Sequence, residues 1–192
     1  MKRTVIIIGL SSLPGGGKDY IADILTAKYG FYKVSPGDII REKISRMKKG
    51  KITREEQQKL QGILRKRYGK DYVMELCLKK MRSTEKDRFA VAGIRFPGDV
   101  KFFKRQKNIR FYNIFVYAPV KIRFKRTMDR KRIDAPSSYD EFTAGDKNEE
   151  RIFNLKETKR ISDFRLDNGE DDSKELEKKI DRILGKIRKD DR

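Results

Sequence analysis

The stretch Val5-Ile6-Ile7-Ile8-Gly9-Leu10-Ser11-Ser12-Leu13-Pro14-Gly15-Gly16-Gly17-Lys18-Asp19-Tyr20 decides how the rest of the chain is read. Its first half is a β-branched run without polar alternation, the pattern of a central strand covered on both faces in a parallel sheet. Its second half is rich in glycine and ends in a lysine. Beyond it, Tyr20, Ile21, Ile24, Leu25 and Tyr29 recur at helical spacing until Gly30 stops the helix. Strand, glycine loop and helix form one unit, and that is where a phosphate is held. Consecutive amides must turn inward around the anion, which needs residues tolerant of positive φ, expected here of Gly15, Gly16 and Gly17. Lys18 is placed to reach the β and γ phosphates, and the helix brings the positive end of its dipole to the same charge.

The loop departs from G-x-x-x-x-G-K-[ST] at both ends. Ser12 stands at the first glycine, and Asp19 replaces the hydroxyl residue that contacts magnesium. A carboxylate can hold Mg²⁺ directly or through water, and the helix N-terminus offsets part of its charge. Leu13, Pro14, Gly15, Gly16, Gly17, Lys18, Asp19 and Tyr20 are therefore the expected nucleotide-binding set.

Outward from this unit the chain alternates strand and helix. Phe31 to Val34 leads to Ser35-Pro36-Gly37-Asp38, then to a helix marked by Ile39, Ile40, Ile44 and Met47 and ending near Gly50. Thr53 and Glu56 form a capping-box pattern at the head of a helix through Tyr68. Val73, Leu76, Cys77, Leu78 and Met81 give the next helix an apolar face, where Cys77 is a small buried hydrophobe. Phe89 to Ala92 and Phe111 to Tyr117 read as strands, each followed by helix-compatible sequence starting near a proline, Pro97 or Pro119. Residues Arg130 to Asn148 are polar, with Pro136, Ser137, Ser138 and Gly145, and read as a mobile excursion outside the core. Phe164 to Asp167 is a last strand. Asp172 and Glu175 cap a helix carrying Leu176, Ile180, Ile183, Leu184 and Ile187 on one face, and the tail from 186 to 192 is expected to fray. This order predicts a three-layer α/β domain with a mostly parallel sheet, helices on both faces, and ligands at the carboxyl ends of the strands.

Composition narrows the chemistry. The chain has 192 residues, 49 Lys and Arg against 29 Asp and Glu, no His and one Cys, for a net charge of +20. Zinc sites, disulfide scaffolds and His-dependent nucleophiles lack their parts, so chemistry falls to Asp, Glu, Lys, Arg and backbone amides. The basic excess suits polyanions, but it is interspersed with acids and no base-stacking signature accompanies it; nucleic acid is a possible partner that the sequence does not favour. No apolar run approaches 18 residues, and the chain reads as a cytoplasmic protein without a membrane partner.

The whole chain resembles the small P-loop kinases of the nucleoside-monophosphate-kinase type, most closely the archaeal branch described as dephospho-CoA-kinase-like. The resemblance rests on the loop ending in Gly17-Lys18, on Gly37-Asp38-Ile39-Ile40-Arg41, and on the Leu64-Arg65 to Tyr68-Gly69 region. It continues through Gly93-Ile94-Arg95-x-Pro97, Tyr117-Ala118-Pro119, Arg126, Arg130 and Arg132, and Asp163-x-x-Leu166-x-Asn168-Gly169. It implies the P-loop NTPase fold in one domain over residues 1–192, with a helical acceptor side at about 36–82 and a small mobile lid at about 126–150. It implies ATP or GTP with Mg²⁺ as donor and a small phosphate-bearing acceptor, a nucleotide or a dephospho-CoA-like molecule. Lys18, Asp38, Arg126 and Arg130 would be catalytic, and Arg132 and Asn168 would join the loop at the nucleotide. Arg41 and Arg95 would grip the acceptor's anion, and Asp19 and Asp38 would serve the metal. Asp38 equally suits a plain helix cap, and Asp134 and Asp146 suit ion pairs with lid arginines. The resemblance expects an Asp where Ala92 stands. A nucleotide-binding pseudo-kinase, or an NTP-dependent binding protein associated with nucleic acid, are the alternative readings.

Overall fold

A computed structural model describes residues 4–46, 53–130, 135–170 and 172–190. Strand β1 (Val5–Ser11) lies at the middle of the sheet, parallel to its neighbours in sequence register. On one side it pairs with a strand at Arg88–Ala92, beyond which lies Tyr32–Val34; on the other it pairs with Ile109–Tyr117, beyond which lies Phe164–Asp167. In chain order these are β2 (Tyr32–Val34), β3 (Arg88–Ala92), β4 (Ile109–Tyr117) and β5 (Phe164–Asp167). The sheet order is β2-β3-β1-β4-β5, and every pairing is parallel. The apolar run predicted a central strand, and the buried stretch Ile7 to Ser11 occupies that place.

Because side chains alternate across a strand, neighbouring residues of β1 feed opposite faces. Ile8 and Leu10 pack with Ala90, Ala92, Ile114 and Val116 against α1 (Lys18–Tyr29) and a C-terminal helix, Ser173–Asp190. Ile7 packs with Phe89, Val91 and Phe111 against α2 (Pro36–Ser45), α4 (Tyr72–Arg82) and α5 (Pro97–Lys104). Gly9 lies between them because no side chain fits: a Cβ there would stand 2.6 Å from the Phe111 ring. The remaining helices are α3 (Arg54–Tyr68), α6 (Val120–Asp129), α7 (Tyr139–Phe153), α8 (Leu155–Arg160) and α9 (Ser173–Asp190). Among the described residues no helix is long and apolar enough to cross a membrane.

The local signals hold where they rest on capping chemistry. The Thr53 N–H donates to Glu56 Oε2 at 2.9 Å while the Glu56 N–H donates to Thr53 Oγ1 at 3.2 Å, closing the predicted box at the head of α3. Gly30 ends α1 in the left-handed conformation, φ 72°. Cys77 is fully buried, and burial, aided by Asp99, raises its thiol pKa so that it stays protonated. The residues expected to end α2, Met47 and Gly50, lie outside the described residues.

Two expectations are corrected. The polar stretch Arg130 to Asn148 is not all excursion, since α7 begins at Tyr139 and buries Phe142, Asp146, Glu149 and Phe153. Its N-terminus is capped by Ser138 Oγ, which accepts from the Glu141 N–H at 3.1 Å. The tail beyond Gly185 is helical as far as Asp190 rather than frayed. Ile187 is 3% exposed there. Burying an isoleucine is worth about 1.5–3 kcal/mol, more than the roughly 1 kcal/mol that a mid-helix glycine costs.

Candidate active site

The loop leaving β1 is shaped by two glycines rather than three. Gly15 and Gly17 have φ of 75° and 95°, the left-handed region, whereas Gly16 does not. Gly16 is needed for room, since a Cβ would come within 2.8 Å of Ser12 Cβ, and its N–H closes a turn onto Leu13 O at 3.1 Å. Two loop carbonyls, which would repel an anion, are held by donors from elsewhere. Pro14 O accepts from Arg123 Nη1 at 3.1 Å, and Gly16 O accepts from Asn168 Nδ2 at 2.9 Å. The first-turn amides of α1, from Lys18 onward, have no partner within the helix and carry the positive end of its dipole.

Lys18 Nζ donates to Asp19 Oδ2 at 2.6 Å. Burial alone would raise the pKa of Asp19, but Lys18, Lys33 and Arg130 outweigh it and hold the carboxyl below its ordinary value. It is therefore ionised at neutral pH. Magnesium commonly takes one or two protein carboxylates and completes its shell with phosphates and water. Among the described residues no group of three or more His, Cys, Asp or Glu gathers to hold a metal unaided. Asp19, a single carboxylate beside the loop, is a donor that would suit that magnesium pattern.

Two cavities flank the loop. The first, about 410 Å³, is lined by Gly17, Tyr20, Arg126, Arg130, Asn168 and Leu176 among others. Arg126 donates from Nη1 to Asn168 O at 2.8 Å, and Asn168, 4% exposed, is bonded to the loop through its amide. The second, about 1020 Å³, opens on the other side, with Lys18, Asp19, Arg41, Arg95 and Arg130 on its wall. Ala92 lines the same cleft at the end of β3. Arg132 and Asp134 lie outside the described residues.

The two arginines on the wall of the second cavity, Arg41 and Arg95, are held in different ways. Arg41 bonds Gln57 Oε1 at 3.1 Å through Nη1 and pairs with Asp38 through Nη2. Arg95 lies over the Phe153 ring, 4.7 Å from its centroid, and 3.9 Å from Glu149. Its backbone is fixed by Asp99, whose Oδ2 accepts from the Arg95 and Phe96 N–H groups at 3.2 and 3.1 Å. Asp99 is itself buried and paired with Arg65 at 2.8 Å.

Asp38 joins this assembly only through Arg41. Its N–H donates to Ser35 Oγ at 3.2 Å in the first turn of α2, its side chain is 61% exposed, and it is not among the residues lining the cleft. The structure thus does not bring Asp38 to the cleft wall beside Asp19. Sequence reasoning also passed over Arg123. Its guanidinium is buried, bonded to Ala118 O at 3.0 Å and Pro14 O at 3.1 Å, and paired with Asp146 at 2.5 Å. Asp99 had a readable signal in Pro97-Gly98-Asp99, the pattern of a helix first turn, whereas Arg123 had none in so basic a chain.

No protein-family model matches the chain. A UPF0200 protein of Methanothermobacter thermautotrophicus is 30% identical over 184 residues, covering 95% of this chain and 91% of that one. A UPF0200 protein of Pyrococcus horikoshii is 31% identical over 186 residues, covering 95% and 97%. Among solved structures, a shikimate kinase from Bacteroides thetaiotaomicron aligns over 95% of this chain and 98% of its own, with TM-score 0.64 and 15% identity. The protein TT1252 from Thermus thermophilus aligns over 96% and 99%, also at TM-score 0.64, with 19% identity. These likenesses establish an α/β P-loop kinase-like fold.

Proposed function

The chain belongs to the UPF0200 family, and we propose that it is a phosphotransferase moving the γ-phosphate of ATP, or of GTP, to a small acceptor that carries its own phosphate. One observation carries the reading. The phosphate loop stands between two cavities, with Gly17 and Tyr20 on one, Lys18 and Asp19 on the other, and Arg130 on both. A nucleotide held by the loop would fill the first cavity and reach the second only with its phosphates, at Lys18. A second, larger cavity facing the lysine end of the loop and lined by two further arginines is what a transferred phosphoryl group and its acceptor require.

Phosphoryl transfer is mostly positioning and charge neutralisation, and each part has an owner here. The loop amides and Lys18 hold the donor phosphates, with the base in the cavity beside Tyr20 and Arg126. Asp19 would hold Mg²⁺, which when bound neutralises charge developing on the β and γ oxygens. Arg130, lining both cavities, stabilises the phosphoryl group in flight. Arg41 and Arg95 grip the acceptor's own anion, since a guanidinium suits bidentate contact with phosphate. The resemblance to the dephospho-CoA-kinase-like branch supports such an acceptor. A small-molecule site of this kind loses little affinity with salt, whereas nucleic-acid binding through the +20 charge would fall steeply.

The test is acceptor-dependent ADP release with Mg²⁺, measured on the wild type and on Lys18→Ala. Turnover that needs a phosphate-bearing acceptor and disappears in the variant supports the kinase. Tight ATP binding without acceptor-dependent turnover would identify a nucleotide-gated binding protein instead.

A further inference from the structure

Helix α3 brings three glutamines to the larger cavity, Gln57, Gln58 and Gln61. Two of them are held by the protein. Gln57 Oε1 accepts from Arg41 Nη1 at 3.1 Å, and Gln58 Nε2 donates to Glu149 Oε1 at 2.9 Å. Gln61 differs from both. It is 8% exposed on the cavity wall, and its amide has no hydrogen-bond partner among the described residues. Neither Oε1 nor Nε2 is closed to solvent, so the amide opens on the cavity rather than on the core. Glutamine is rarely buried, and an amide withdrawn from water without a bond is costly. Leu60 and Leu64 of the same helix pack against the core, and a leucine at 61 would avoid that cost.

We infer that Gln61 selects the phosphoryl acceptor, and that this molecule presents a hydrogen-bond donor and acceptor side by side on one planar edge, as a nucleobase does. The inference rests on the kinase reading above, which assigns this cavity to the molecule being phosphorylated. A primary amide offers its C=O and one N–H in the same direction, and both are satisfied at once only by an edge of the opposite order. Glutamine makes that paired contact with adenine, through N6 and N7. The amides of a pantetheine arm cannot make it, because a secondary amide is trans and sends its N–H and C=O in opposite directions. The spacing on the helix agrees. Gln61 lies one turn after Gln57 on the same face of α3, about 6 Å along the axis. Gln57 holds Arg41, so an anion gripped by Arg41 and an edge read by Gln61 are set apart as the phosphate and base of a nucleoside monophosphate are.

Isothermal titration calorimetry tests this, with the donor site filled by a non-hydrolysable ATP analogue and Mg²⁺. The ligands are the common ribonucleoside monophosphates, ribose 5-phosphate and 4′-phosphopantetheine. A paired contact to a base is worth a factor of about 5–150, so at least one monophosphate should bind that much more tightly than ribose 5-phosphate. Gln61→Leu should close the margin while Tm stays unchanged or rises, since no bond within the protein is lost. A glutamine serving only the fold would do the reverse, lowering Tm and keeping the margin. Ribose 5-phosphate or 4′-phosphopantetheine binding as tightly as every monophosphate overturns the inference, and so does a margin that survives in Gln61→Leu. Should that variant fail to fold, the wild type is titrated with the favoured monophosphate N-methylated on its base edge. Loss of the same margin supports the assignment, and equal binding overturns it. Because binding is read without turnover, selectivity without phosphoryl transfer counts against the kinase reading alone, and transfer without selectivity against this inference alone.

Discussion

Replacing Gly17 by alanine strains the phosphate loop in two separable ways. The residue sits at φ 95°, where an L side chain costs about 1–2 kcal/mol. Its new Cβ would also collide with the Asn168 amide, whose Nδ2 donates to Gly16 O at 2.9 Å. Displacing that amide forfeits a hydrogen bond worth about 0.5–1.5 kcal/mol. Stiffening of the unfolded chain by alanine offsets only about 0.4–1 kcal/mol of that loss. The expected net loss is about 1–3 kcal/mol, and at roughly 2–4 °C per kcal/mol for a chain of this size Tm should drop by about 2–12 °C. ATP affinity should fall more steeply than stability, because the amides that cradle the phosphate lie at this bend. Differential scanning calorimetry with and without ATP measures both. The double variant with Asn168→Ala separates the causes: the clash disappears with the amide while the dihedral cost stays, so the two substitutions should be less than additive. A Gly17→Ala protein with wild-type Tm and wild-type ATP-induced stabilisation would show that neither the dihedral cost nor the clash with Asn168 operates.

Other expectations follow from the same geometry. Asp99→Ala strips the carboxylate from half-buried Arg65, which keeps its bond to Lys70 O, and frees the Arg95 and Phe96 amides, so urea unfolding should show a loss of about 1–3 kcal/mol, and any surviving activity should have a raised acceptor KM. Asp19→Asn should raise the Mg²⁺ concentration needed for half-maximal activity more than it raises the KM for ATP, a split visible in a magnesium titration. Tyr29 is held protonated, its pKa pushed up to about 12 by burial and by the bond it donates to Asp181 at 2.8 Å. With an unfolded value near 10, its contribution is whole below pH 10 and lost as pH rises through about 12. Chemical denaturation at pH 9 and pH 12 should show that loss in the wild type and a smaller one in Tyr29→Phe.

How much of this was legible in the sequence depends on how each residue is buried. The sheet was readable because Ile7, Ile8 and Leu10 are apolar on both faces and the glycines after them punctuate the chain. The loop was readable for the same reason, although only the backbone distinguishes Gly15 and Gly17, which need positive φ, from Gly16, which needs space. Helix α7 was missed because its buried face runs Phe142, Asp146, Glu149, Phe153, and the two acids in the middle erase the apolar period. Those acids are inside only because Arg123, Gln58 and Arg95 meet them there, contacts across the chain that no local pattern encodes. The tail was misread at Gly185, where the weight of one glycine was set against burial that a sequence does not display. Asp38 was read onto the site from its motif, and the structure places it as an exposed partner of Arg41, which lines the cleft.

In the proposed function the two cavities meeting at the phosphate loop hold a donor and an acceptor of the same phosphoryl group. It is tested most directly by following the γ-phosphate itself, with γ-labelled ATP, Mg²⁺ and pooled phosphate-bearing metabolites, on the wild type beside Lys18→Ala. Label is expected in a small phosphorylated product for the wild type and none for the variant. Label appearing only as inorganic phosphate, at a rate indifferent to any acceptor, would contradict it.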